Sequence, residues 1–148
     1  VPLKITEDIK SKINNQEDEY YVVLGGYNGG SETTPNRREE DDGKLMKDIN
    51  NSSDIKFLDK NKYEAIEIKF NNNNSVYQND SNVLNAYNNY NGKANYPFLG
   101  VIGDNDYNSN SFARTTCEYG GGSNCNYDFK KSTSPLDNKI IPKNYFTK

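Results

Sequence analysis

Apolar and polar positions alternate most regularly over residues 64–70, EAIEIKF. Ala65, Ile66, Ile68 and Phe70 are set there against Glu64, Glu67 and Lys69. A period near two predicts a half-buried strand. The apolar run YYVVL at 20–24 predicts a second strand, stopped by the Gly25, Gly26 pair. LMKDI at 45–49 predicts a weaker third. From Asp80 onward the period changes. Val83, Leu84, Ala86, Tyr87 and Tyr90 recur at helical spacing, with Asp80 or Ser81 as cap and Gly92 as stop. A second helix is predicted over 109–119, with Phe112 and Thr116 turned inward. A short helix is also expected at 6–15, TEDIKSKINN. Thr6 caps it, and Glu7 and Asp8 lie at its positive end. YPFLGVIG at 96–103 is a strand or a buried loop. The charged stretch 27–44 and the NNNN run at 71–74 are connectors, and SPLDNKIIPKNYF at 134–146 is an irregular tail. This order predicts one α+β domain over 1–148, a small antiparallel sheet with helices packed on one side.

Composition changes the expected core. Only 32% of the 148 residues are hydrophobic, yet there are 12 Tyr and 6 Phe. Aromatics bury more surface per residue than any other class, so the core should be thin and tyrosine-rich. A disordered chain would lack them. The net charge of −3 comes from acids and bases mixed along the chain. No basic stripe exists to displace counterions, which argues against nucleic acid as partner. No apolar run approaches the ~18 residues that a membrane span needs. The start at Val1, without Met, reads as the product of a removed leader or a larger parent chain. The excess of Asn, Lys, Ile and Tyr matches AT-rich codon usage and carries no functional content.

Cys117 and Cys125 are the two cysteines, with EYGGGSN between them. That Gly-rich loop can close as a disulfide, which would imply export from the cytoplasm; two free thiols are the other reading. With no His and no second ligand pair, a zinc site is excluded.

The chemistry concentrates in DYNSNSFAR, 106–114. Ser109 begins the predicted helix, where unpaired N–H groups and the helix dipole favour developing negative charge. A nucleophile placed there has ready oxyanion donors. A helix cap uses the same position without any chemistry.

Asn108, Ser109, Phe112, Cys117, Tyr119 and Gly120 resemble the nucleophile helix of papain-fold proteins of the NlpC-like and lecithin-retinol-acyltransferase-like type. Ser109 stands where those proteins carry Cys. YYVVLGGYNGG, Gly43-Lys44-Leu45, EAIEIKF, YPFLGVIGDNDYNSNSFAR and SPLDNKIIPKNYF also resemble, in order, the domains at C-terminal ends of bacterial polymorphic-toxin and RHS-type proteins. The resemblance spans about Tyr20 to Phe146, and NSNSFAR is its one specific motif. It implies a papain-like fold and an exported effector acting on an amide, peptide or acyl bond, with no cofactor. It also implies a His base, and this chain has none. Glu19 would have to serve instead, and a carboxylate is a poor base for a hydroxyl near neutral pH. A catalytically degenerate domain is therefore part of the same expectation.

Two further patterns offer other chemistry. Asp104, Asp106, Asn108 and Asn110 alternate as the first ligands of a calcium loop do, but Ser109 stands where that loop needs Gly and Thr115 where it needs Glu. Glu39, Glu40, Asp41 and Asp42 form an acidic run that reads as solvated. The alternative to a hydrolase is a non-catalytic extracellular binding module, such as a pilin-like or adhesin head. It would present Tyr and Asn side chains to a protein or glycan. Both readings place the chain outside the cytoplasm.

Overall fold

Leu24–Asn28 (β1) and Leu45–Ile49 (β2) pair antiparallel in the computed structural model, with Leu24 opposite Ile49 and Asn28 opposite Leu45. The structure describes residues 23–30, 42–51, 54, 62, 66–97, 103–126 and 139–147. The helix expected at 6–15, the start of the first expected strand, most of the acidic run, Glu19 and residues 98–102 lie outside them.

β1 begins where the sequence reading ended it. Gly25 and Gly26 do not stop the strand; they lie inside it. The reason is a close approach. A Cβ on Gly26 would sit 3.0 Å from three atoms of the Phe112 side chain. The bare backbone lets the second long helix lie directly on β1.

β2 continues the sheet through single bridges. Lys44 pairs with Asn95, and Asn95 in turn with Asp106. Leu45 N–H donates to the Ala94 carbonyl at 2.9 Å, and Tyr107 N–H to Asn95 at 2.8 Å. The expected strand at 64–70 is different. Over 66–70 burial alternates, half-buried at Ile66, Ile68 and Phe70, exposed at Glu67 and Lys69. Yet the described part joins no sheet. Phe70 makes one bridge, to Gly122. Its backbone polar groups are met by a loop: Lys69 N–H donates to Asn124 Oδ1, while Lys69 and Glu67 carbonyls accept from Ser123 and Asn124. Alternation reports which side is buried, not what supplies the hydrogen bonds.

Val76–Asn89 (α1) starts well before the expected Asp80. Ser75 and Gln78 close a capping box: Gln78 N–H donates to Ser75 Oγ at 3.2 Å, and Ser75 N–H to Gln78 Oε1 at 3.1 Å. At the other end Lys47 reaches from β2 and donates to the carbonyls of Tyr87 and Asn88, at 2.9 and 2.8 Å. That cation meets the negative end of the helix dipole. Ser109–Tyr119 (α2) has the expected bounds. Its end rests on α1, since a Cβ on Gly120 would meet Val83 Cγ2 at 2.6 Å.

The core lies between these elements. Leu45, Tyr87, Tyr90, Ala94, Tyr107, Phe112 and Ile141 are buried together. Phe112 is its centre, edge-on to Tyr87 and Tyr90 at 6.0 and 5.1 Å between ring centres. The fold is α+β: a small antiparallel sheet with two helices packed against it.

The tail, 139–147, crosses this assembly and ends in a short 3-10 turn, Lys143–Tyr145. Ile141 is fully buried. Its N–H donates to Thr115 Oγ1 at 2.9 Å, and its carbonyl accepts from the Tyr119 hydroxyl at 2.7 Å. One turn of α2 thus holds both polar groups of a buried peptide.

Candidate functional site

α2 presents the residues on which the hydrolase expectation rests. Asn108, not Ser109, is the N-cap. Its Oδ1 accepts from Asn110 N–H at 3.0 Å and from Ser111 N–H at 3.1 Å, and Phe112 N–H donates to the Asn108 carbonyl at 2.9 Å. Ser111 returns the contact, accepting from Asn108 N–H at 3.3 Å. The short polar side chain of Asn favours this geometry over the intrahelical one.

Ser109 is the first residue of the helix, half-buried. Its hydroxyl has no hydrogen-bond partner among the described residues. The N–H groups of Asn110 and Ser111, which could steady an oxyanion there, are already taken by Asn108. The better-placed serine, Ser111, is fully buried and bonded within the cap. Glu19 lies outside the described residues.

The loop before α2 spends its oxygens in another way. Asp106 Oδ2 accepts from Gly103 N–H at 2.6 Å. The carbonyls of Gly103, Asp104 and Asp106 accept from the Lys139 ammonium at 3.0, 3.2 and 3.3 Å. Lys139 also lies 5.6 Å from the centre of the Tyr107 ring. A positive charge carried by the tail therefore sits among the carbonyls of the expected calcium loop. Asn108 faces the helix N–H groups. Among the described residues no three acidic or cysteine side chains gather as a metal set would.

No family model, characterised protein or solved structure matches this chain. The site must be read from its own geometry.

Cys117 and Cys125 form a disulfide, with Cα atoms 5.8 Å apart. Gly122 lies against it; a Cβ there would meet both sulfurs within 2.7 Å. The bond fixes the loop that grips residues 66–70.

A concave surface lies elsewhere, where the end of α1 meets the tail. It is a groove of about 490 Å³, bordered by Asn88, Asn89, Asn91, Lys93, Asn144 and Tyr145. Asn91 forms its rigid floor: its N–H donates to the Tyr145 carbonyl at 2.8 Å, its Nδ2 to the Asn144 carbonyl at 3.2 Å, and its Oδ1 accepts from Lys93 N–H. Asn88 and Asn144 accept through their backbone carbonyls, and no side-chain amide of Asn88, Asn89 or Asn144 bonds to protein among the described residues. No sequence signal marks these residues. Their types are common along the chain, and the groove exists only because the tail returns to α1.

Two buried tyrosines lie at the end of α1: Tyr87 within the helix, and Tyr90, its C-cap, on the groove border. Burial, then the charges of Asp48 and Tyr27, pushes the Tyr87 hydroxyl up to about 12. Burial lifts Tyr90 further, with Tyr145 adding and the Ala94 backbone opposing. Tyr90 donates to the Leu45 carbonyl at 2.5 Å. Both hydroxyls stay protonated near neutral pH, and that of Tyr90 acts as a structural donor.

Proposed function

We propose that this domain is a non-catalytic binding module of an exported protein, working through the groove between α1 and the tail. The observation that carries the reading is the use of Asn108. An acyl-transfer site needs donors aimed at the developing oxyanion. Here the side chain of the preceding residue accepts from the N–H groups of Asn110 and Ser111. A serine hydroxyl without a base is nearly inert, and the sequence holds no His. The disulfide supports placement outside the cytoplasm. Among the described residues no helix is long and apolar enough to cross a membrane.

The likeness to papain-fold effector domains fits this proposal as a family shape without its chemistry, and a toxin-type parent chain remains compatible with it. A fluorophosphonate probe separates the two activities, because it captures only activated serines. Ser109 is expected to stay unlabelled, and Ser109→Ala to fold and melt as the parent does. Covalent labelling that Ser109→Ala abolishes would overturn the reading in favour of a serine hydrolase.

A further inference from the structure

We infer that the groove at the end of α1 binds a short oligosaccharide. This deepens the binding-module reading and rests on it. The chemistry of the border decides the ligand class. Each side-chain amide offers two donors and an acceptor on one planar group. Asn88, Asn89 and Asn144 bring three such groups to one concavity, unengaged by protein among the described residues. That set matches adjacent sugar hydroxyls, each of which both donates and accepts. The half-buried Tyr145 ring, anchored beside Tyr107 at 6.3 Å between centres, offers a flat apolar face for the C–H side of a pyranose.

Other ligand classes fit worse. A peptide or protein partner is held by apolar and aromatic anchors in dry pockets. Among the described residues on the border the aromatics are Tyr145 and the buried Tyr90, and none is aliphatic. A metal cation needs carboxylates, and among the described residues none borders the groove. A polyanion needs several cations, and among the described residues Lys93 is the one cation on the border. The volume falls within the range of small-ligand sites and suits two or three sugar rings. Rigidity comes from Asn91, which ties the helix end to the tail by two hydrogen bonds and holds the Lys93 N–H by a third. The site is therefore formed before the ligand arrives, which lowers the ordering entropy that binding must overcome.

The test uses the full oxidised chain, labelled with ¹⁵N and titrated separately with lactose, 3′-sialyllactose and chitotriose to ~10 mM, above the ~1 mM dissociation constant of a weak single-site ligand. At least one sugar should move the side-chain amide signals of Asn88, Asn89 and Asn144. A double variant, Asn89→Ala with Asn144→Ala, should weaken that response by about tenfold, the equivalent of ~1.4 kcal/mol. Neither amide makes a protein hydrogen bond among the described residues, so the variant should fold. Tyr77, exposed at 77% on the first turn of α1, is the control aromatic away from the groove. The proposal is overturned if none of the three sugars moves the groove amides, if the shifts gather around Tyr77, or if the double variant binds as the parent does. Should the sugars fail while Ser109 stays inert to fluorophosphonate, the ligand class falls and the binding module stands. Labelling of Ser109 would bring down the module reading itself.

Discussion

Thr115 shows how much one hydroxyl can hold. It is fully buried in α2, donates to the Ser111 carbonyl at 2.7 Å and accepts from Ile141 N–H at 2.9 Å. The first bond is the local back-bond common to helical Thr. The second joins elements 26 residues apart. Thr115→Val keeps the shape and removes both. It leaves Ile141 N–H buried without an acceptor, a loss of about 1–3 kcal/mol. Urea unfolding should show that loss as a lower midpoint with an unchanged slope. An unchanged midpoint would mean that the tail is not held through this bond. None of this was legible in the sequence. Thr115 entered the reading only as the residue that spoils a calcium loop. The same blindness applied to Asn108, because cap and nucleophile helix share one sequence pattern, and only the direction of the Asn108 oxygen separates them.

Elements were legible where their own side chains define them, and illegible where distant chain defines them. α2 has its expected bounds because Asn108 caps it and Gly120 ends it. α1 is longer than its apolar pattern, since its opening turn carries exposed Val76 and Tyr77 and its Ser75 cap is hidden among asparagines. Residues 66–70 pattern as a strand and are instead clasped by the loop that the Cys117–Cys125 bond closes. That arrangement makes a prediction of its own. Closing a loop of this size removes unfolded-state entropy worth about 2–3 kcal/mol in the chain-entropy model. Reduction should lower stability by that amount. It should also speed amide exchange at Lys69 and Ser123, whose N–H groups donate across this clasp, before exchange rises in the core. If exchange rose everywhere together, the loop would be no separate unit and the bond would act on the whole domain.

At the scale of the molecule, the thin apolar content foreseen from composition becomes a core built on tyrosine, and that choice sets its response to pH. The hydroxyls of Tyr87, Tyr90, Tyr96, Tyr107 and Tyr119 all titrate higher in the fold than in the open chain, chiefly through burial. An unfolded tyrosine releases its proton near pH ~10. Between that value and the raised folded one, the unfolded state binds fewer protons than the native state, so stability falls as pH rises. The stabilisation is complete below about pH 10 and drains away through about 12, where Tyr87 titrates. Near neutral pH the curve should be flat, with no His to titrate and both thiols in a disulfide. Urea unfolding from about pH 6 to 12, followed by circular dichroism alongside phenolate absorbance, checks this against the ordinary tyrosine pKa. With no Trp in the chain, that absorbance reports tyrosine alone. Tyr90→Phe gives the decisive comparison. It loses the hydrogen bond to the Leu45 carbonyl, so it starts about 1 kcal/mol less stable. It should then fall less steeply above about pH 11, by one proton, a slope of ~1.4 kcal/mol per pH unit. Equal slopes in the two proteins would show that Tyr90 ionises as freely in the fold as out of it, and that the tyrosine core is open to water.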